Sequence, residues 1–491
     1  MFTEPGGTMA CRGVSLSGDA AVCPAMPLRG VPHGRRSTAP ASGMSPEDWG
    51  ISLVKCSAEP GRARLRRDAS LLRGSRGSLA ASDSDGGVKA AGRNTGSRPA
   101  AMFNGNTPRK QGNARRYVQQ QNTPGLFMSD YHALALFSGG LDSILAARLI
   151  MDQGLRVKCL HFISPFFGKP AQVRRWENVY GLDIDIIDVG EQYARLLGSG
   201  PAHGFGSVMN PCVDCKILMM RTARELLPRY GARFLVSGEV LGQRPMSQRR
   251  DTLNIIRRDA DARDILLRPL CALHLDPTEA ELSGLVDRGR LLGFSGRGRK
   301  DQLALAEQFG IREIPTPGGG CMLTEKENAR RYWPVLENLG TPDAADFRLA
   351  NLGRQFWLHD GDRHYWLSVG RNQADNERYA AQQRSGDMLF KLVNCPGPLA
   401  LGRGLSGWPE EIIRQAAALT ASYSPRARAA GESGHAVRVR ITECAEHGEN
   451  AQSREVEVFP SRAGGFAEPT WEDAHQKLLA LRRQDRICGK G

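Results

Sequence analysis

The chain has 491 residues, 41% of them hydrophobic, with a mean hydropathy of −0.38. This length allows two or three domains, and no stretch approaches the ~18 uncharged apolar residues that a helical membrane span needs. The net charge of +14 is uneven, because residues 1–127 hold 18 Lys+Arg against 8 Asp+Glu while the remaining 364 hold 48 against 44. A nucleic-acid role therefore cannot be read from global charge and needs a local basic surface. Eleven cysteines spread thinly over a long chain are unlike a secreted disulfide framework. The first 30 residues are broken by Gly, Pro and Arg and lack an apolar signal core. A cytoplasmic protein with reduced thiols and no membrane association is expected.

Residues 1–127 are rich in Gly, Ser, Ala, Arg and Pro without helical or alternating periodicity. They read as disordered, or as a non-native extension upstream of a start at Met128. Order is expected from Tyr131. His132–Phe137 is a short apolar strand, and Leu141, Leu145 and Leu149 at i, i+4, i+8 mark the helix after it. Val157–Ile163 and Leu182–Val189 read as strands, Ile217–Leu227 as a helix, and Phe234–Ser237 as a buried strand ending at Gly238. Strands alternating with helices predict a parallel α/β sheet. Helices are expected at Asp301–Phe309 and Glu325–Trp333. After about residue 340 the texture changes to a smaller α+β unit. Phe356–Leu358 and Tyr365–Val369 flank the turn signal Asp360-Gly361. A helix at Ala374–Arg384 and a strand at Met388–Val393 follow. Residues 424–455 read as polar loop, and the tail, 461–491, as a short basic helix at best. The expected domains are thus 128–338 and 345–460.

The most informative motif is Ser138-Gly139-Gly140-Leu141-Asp142-Ser143, between the first strand and the first helix. Two glycines let the backbone approach an anion, the helix N-terminus offers free N–H groups, and Ser138 and Ser143 add hydroxyls. Asp142 suits a Mg²⁺ ligand or an orienting group. No Gly-Lys-Ser/Thr follows, so this is not a P-loop. The six residues resemble the SGGxDS fingerprint of the PP-loop ATP-pyrophosphatases. That resemblance implies cleavage of ATP to AMP and pyrophosphate through an adenylated substrate. It also implies an adenine pocket at the end of the second strand, near Leu160, His161 and Phe162, and a second nucleotide loop running from Gly238 through Gln243 to Gln248. Lys216, Arg244 and Arg268 are the cations available to meet phosphate charge.

Asn210-Pro211-Cys212-Val213-Asp214-Cys215-Lys216 is the second constellation. A helix starting near Lys216 would place its positive end by both sulfurs and favour thiolate. A third thiol, Cys321, follows Pro317-Gly318-Gly319-Gly320. Asn-Pro-Cys-x-x-Cys beside a PP-loop resembles tRNA thiouridylases of the 2-thiouridylase and 4-thiouridine synthase-like group. Two routes remain open: a persulfide/disulfide pair using Cys321 with Cys212 or Cys215, or a [4Fe–4S] cluster held by all three with one iron open.

In the second unit, Val369-Gly370-Arg371-Asn372-Gln373-Ala374-Asp375-Asn376-Glu377, then Asp387-Met388-Leu389-Phe390 and Pro396-Gly397, resemble the RNA-binding domain of NFACT proteins. The resemblance implies tRNA contact through Arg371, Asn372, Asn376 and Lys391. Arg403 is a further phosphate candidate, and Trp357, Tyr365 and Trp366 either stack on bases or fill the core. The expected function is an ATP- and Mg²⁺-dependent tRNA sulfurtransferase supplied by a cysteine desulfurase, a sulfur carrier or sulfide. The competing readings are a PP-loop amide-forming ligase and a non-catalytic RNA-binding factor.

Overall fold

A computed structural model of the protein describes residues 52–54, 131–316, 320–404, 407–444 and 452–487, all within one unit spanning Trp49–Gly491. Met128, most of the 1–127 segment and Pro317–Gly319 lie outside the described residues.

The first sheet has strands β1 (Ser52–Val54), β2 (Ala133–Leu136), β3 (Val157–Ile163), β4 (Ile184–Asp188), β5 (Phe234–Ser237) and β6 (Leu266–Leu267). Its spatial order is β1-β4-β3-β2-β5-β6. The five strands from β4 to β6 run parallel, and β1 joins antiparallel at the edge. Helices α1 (Leu141–Met151), α2 (Val173–Tyr180), α3 (Gly190–Gly198), α4 (Cys212–Tyr230) and α5 (Arg250–Asp259) connect them. Along β2 the side chains alternate between two cores. Ala133, Ala135 and Phe137 pack with α1 and α2, whereas Leu134 packs with α4 and α5. This is the doubly wound parallel sheet expected for a PP-loop domain. Its chain order leaves β2 and β5 as neighbours whose following loops meet at the carboxyl edge. That is the topological switch point where open α/β sheets bind ligands.

After β6 come α6 (Glu279–Leu282), α7 (Lys300–Gln308), α8 (Lys326–Asn338) and α9 (Ala344–Ala350). The second sheet is antiparallel: β7 (Arg354–Asp360), β8 (Arg363–Val369), β9 (Met388–Leu392), β10 (Leu399–Arg403), β11 (Val437–Glu443) and β12 (Ser453–Val458), in the order β12-β11-β9-β10-β8-β7. Between them lie α10 (Gln373–Tyr379), α11 (Glu410–Ala421) and α12 (Pro425–Glu432), and α13 (Trp471–Ile487) closes the described chain. One sheet face packs on α11 and α12. On the other, Trp357, Trp366 and Leu401 share a core with Tyr332, Phe347 and Leu478 and, from the first sheet's side, with Phe166 and Tyr193.

Ser52–Val54, inside the segment expected to be disordered, pair with β4 as β1; two further expectations are corrected here, and one open alternative is decided. Within 424–455, expected to be loop, the described residues form α12, β11 and the start of β12, and Val437, Val439 and Ile441 alternate with exposed Arg438 and Arg440, the half-buried period of two. The tail carries a 17-residue helix seated by buried Ala474 and Leu478. Trp357, Tyr365 and Trp366 are core: all three are buried, and the two indoles stack at 5.1 Å. No helix among the described residues is long and apolar enough to cross a membrane.

Candidate functional site

The 138–143 turn leaves β2 and enters α1 with Gly140 as N-cap. Gly139 holds φ +78°, and a Cβ there would lie 2.4 Å from Trp176 of α2, so only glycine serves at this position. Ser143 Oγ donates to the Gly140 carbonyl at 2.7 Å, and the Gly140 amide approaches exposed Ser138 Oγ at 3.4 Å. The first amides of α1 have no intrahelical acceptor, so the turn can cradle an anion. Asp142 Oδ2 accepts from Gln243 Nε2 at 3.1 Å, while Oδ1 is buried without a hydrogen-bond partner. Burial pushes the Asp142 carboxyl up, against the opposing pull of Gln243, Arg299 and Arg244.

Gly238 closes the turn from β5. A Cβ at that position would sit 2.5 Å from the Asp142 carbonyl oxygen and 2.7 Å from the Ser143 nitrogen. The second loop therefore abuts the first, as the sequence implied for Gly238 and Gln243. Gln248 adds a buried Oε1 that has no partner. His161 is placed differently. Its Nδ1 meets the Phe137 carbonyl at 3.0 Å and its Nε2 accepts from the Lys169 amide at 2.9 Å. Both ring nitrogens are therefore taken by backbone, and burial pulls the imidazole down into its neutral form. Phe162 is buried among the residues packed on α4. Arg268 is not a free phosphate cation either. It is 2% exposed and bonds Glu239 Oε2 at 2.9 Å. Burial pushes Glu239 up, but the opposing charges of Arg268 and Lys216 prevail and hold it below the usual value. Lys216 Nζ stands 3.8 Å from Glu239 Oε1 and keeps some exposure.

The sequence missed Arg299. The segment 295–300 folds against the second loop through the Gly296 amide, which donates to the Leu241 carbonyl at 2.8 Å. This brings Arg299 near enough to Asp142 to act on its charge. Arg-Gly-Arg-Lys ahead of α7 was the available signal. Arg244 and Arg299 thus form a cationic rim beside the turn.

The thiols lie at the same edge. α4 begins at Cys212, not near Lys216, so Cys212 and Cys215 occupy its first turn. Buried Asn210 donates from Nδ2 to Cys212 Sγ at 3.1 Å and reaches Met246 Sδ at 3.8 Å. Met246 belongs to the loop whose Gln243 holds Asp142, so a short run of contacts joins the turn to the thiols. Cys321, 106 residues after Cys215, is brought in by two backbone bonds, Met322 N to Phe166 O at 3.0 Å and Met209 N to Leu323 O at 3.1 Å. The three sulfurs are close enough to influence one another's ionisation and that of buried Tyr193. The expected thiolate bias does not hold for Cys215 or Cys321. Burial pushes Cys215 up to about 12, outweighing the Tyr193 hydroxyl and Lys216, and it raises Cys321 as well against backbone hydrogen bonds from 321–324. Among the described residues no three His, Cys, Asp or Glu side chains are grouped to hold a metal ion. The thiols as placed therefore do not fit a preformed cluster site. A single carboxylate, Asp142, with its free Oδ1 does suit Mg²⁺, which takes its other ligands from phosphates and water.

In the second unit the 369–377 motif builds its own turn. Asn372 caps α10 by accepting from the Asp375 amide, Arg371 pairs with buried Asp375 at 2.8 Å, and Asn376 accepts from the Leu399 amide. Arg403 is buried between Asp346 and Asp387. Of the expected RNA contacts, Lys391 projects from an exposed strand position, and Arg371 and Asn372 are exposed in the turn.

A chain titled "Probable tRNA sulfurtransferase" from Thermococcus kodakarensis is 31% identical over 147 residues, 28% of this chain and 37% of that relative. A "tRNA sulfurtransferase" from Marinobacter nauticus is 30% identical over 149 residues, 28% of this chain and 29% of that relative. The chain therefore covers less than two thirds of the length of either. The solved structure of a predicted tRNA methyltransferase subunit from Methanocaldococcus jannaschii aligns over 36% of this chain and 75% of its own, with 15% identity and a TM-score of 0.24. Residues 128–278, which contain the phosphate turn, the Cys212/Cys215 pair and the second loop, match the family described as Thiamine biosynthesis protein (ThiI).

Proposed function

We propose that the protein is an ATP-dependent tRNA sulfurtransferase. The observation that carries this reading is the run of contacts Asp142–Gln243, Met246–Asn210–Cys212, which links the glycine-rich turn to the first cysteine of the pair. ATP would lie with its phosphates over 138–143. Mg²⁺ held by Asp142 would neutralise phosphate charge, and Arg244 and Arg299 would stabilise the departing pyrophosphate. A base carbonyl oxygen attacks the α-phosphorus, pyrophosphate leaves, and the base carbon becomes an electrophile bearing AMP. The terminal sulfur of a cysteine persulfide then attacks that carbon and AMP departs with the original oxygen. A second cysteine takes the inner sulfur, leaving the thiolated base and an enzyme disulfide that an external thiol reduces. Cys321 with Cys212 or Cys215 would form that pair. tRNA is the proposed substrate, a cysteine desulfurase or a persulfide-bearing sulfur carrier the proposed donor for this route (sulfide would serve only the cluster route), and the second unit the proposed RNA-holding part, as its NFACT-like pattern implies.

The test is to incubate the protein with ATP, Mg²⁺, a persulfide source and bulk tRNA, then digest the RNA for nucleoside analysis. A thionucleoside should appear and should vanish in Cys212→Ala and Cys321→Ala, while pyrophosphate release persists. Full turnover in both variants would point instead to an amide-forming ligase.

A further inference from the structure

On the far side of the second sheet, a cavity of about 260 Å³ opens between α11, the end of β12 and the segment 459–466. Its wall includes Phe459, Arg462, Arg414, Gln415, Glu457 and Ser461. Phe459 is unusual here. It follows Val456 and Val458, both buried, and falls on the solvent side with 57% of its surface exposed. Arg462 Cζ lies over the Tyr423 ring at 4.4 Å from its centroid, and Arg354 Cζ lies over the same ring at 4.6 Å. Arg354 in turn donates to the Gly370 carbonyl at 3.3 Å. The Arg462 guanidinium is thus held as an exposed planar platform beside an exposed aromatic ring. Beside them the exposed Glu457 carboxylate is an acceptor, while the Gln415 amide is engaged by Glu411 and the Gly465 amide and the Ser461 hydroxyl by Ala463.

This combination matches the chemistry of an unpaired nucleobase. Such bases are recognised by stacking on aromatic rings or guanidinium planes and by hydrogen bonds to their edges. An acidic acceptor suits an exocyclic amine, and Arg414 and Arg462 at the rim suit the flanking phosphates. An apolar helix would have to cover the charged Glu411, Arg414, Glu457 and Arg462 side chains. We propose that this cavity holds one unpaired base of a bound RNA, with Phe459 and Arg462 as its stacking surfaces. The proposal rests on the reading of the second unit as RNA-holding, and it moves the contact away from the 369–377 turn, whose side chains are occupied.

The experiment uses the full chain and dye-labelled eight-nucleotide single-stranded RNAs (U8, C8, A8), a blunt RNA duplex, bulk tRNA and free mononucleotides. Stacking of one base is worth a factor of about 5 to 150 in affinity. Phe459→Ala should weaken octamer binding by about that factor, whereas Phe459→Trp should retain it. Arg462→Gln should weaken binding and flatten its salt dependence by about 0.7 in the log–log slope. Duplex affinity should not change in Phe459→Ala. The circular dichroism of each variant should match that of the parent, since Phe459 is mostly solvated. Octamer affinity within twofold of the parent in Phe459→Ala, no octamer binding by the parent, or mononucleotides binding as tightly as octamers would each overturn the proposal. Octamers held through Phe459 without any binding of tRNA would instead sink the tRNA reading and leave the base site standing.

Discussion

Gly238→Ala tests whether the phosphate turn is held by the end of β5. The backbone at Gly238 is not in the left-handed region, so the substitution carries no torsional penalty. The cost is contact: the added methyl would lie 2.5 Å from the Asp142 carbonyl oxygen, 2.6 Å from its carbon and 2.7 Å from the Ser143 nitrogen. These are backbone atoms in the first turn of α1 and cannot rotate away. Restoring an ordinary contact of about 3.4 Å needs about 0.9 Å of movement between the strand end and the turn. Overpacking of this kind costs about 1–3 kcal/mol of stability, which a domain of ordinary stability survives. A displacement near 1 Å in a positioning element costs about a hundredfold in rate. Pyrophosphate release with saturating ATP and substrate should therefore fall by about that factor in a folded protein. Gly340→Ala makes the same chemical change where nothing lies within 4 Å and should leave the rate unchanged. A Gly238→Ala enzyme within threefold of the parent would refute the claim that these strand ends set the turn.

Removing Arg268 leaves the Glu239 carboxylate buried with its main counter-charge gone. Arg268→Leu should cost about 3–5 kcal/mol by urea denaturation, and Arg268→Leu/Glu239→Leu should recover most of it. Glu239 is held below the usual carboxylate value, so its stabilisation is present above the unfolded pKa and is lost as pH falls through the lower folded value. The double variant should lose that acid-dependent component, and an identical acid profile in parent and double variant would contradict the assignment. Asn372→Ala removes the cap that accepts from the Asp375 amide. It should lower stability by about 1 kcal/mol without altering RNA affinity, and a selective loss of RNA binding would return the motif to a contact role. Because the Cys215 thiol is pushed up to about 12, its alkylation by iodoacetamide should rise about tenfold per pH unit from 7 to 10. A plateau near pH 8 in peptide-mapped labelling would contradict its closed surroundings.

The first sheet was legible because its signals are local and strong. Fully buried parallel strands read as short apolar runs, Gly139 sits where a side chain would strike Trp176, and Gly238 sits where backbone must approach backbone. The second sheet was less legible because β11 spends every other position on arginine. A stretch judged by its average polarity looks like loop, although its alternation is the strand signal. The tail helix failed similarly, because its buried positions are few and its partners lie in α8 and the shared core. At the site, residue types alone identified the turn and the three cysteines, since glycine next to serine and paired thiols have few uses. They could not separate free cations from bound ones. Arg268, Arg403 and Arg299 look alike in sequence, yet two are buried against carboxylates and one stands beside Asp142. The difference arises from which strand end each follows. A motif tells which groups a reaction can use, and the sheet order decides which arginine is left to use. Here β2 and β5 were made neighbours by the chain reversing at the switch point. That single crossover brings residues 138–143, 238–248 and 295–300 to one edge, and α4, which leads into β5, brings the thiols with them.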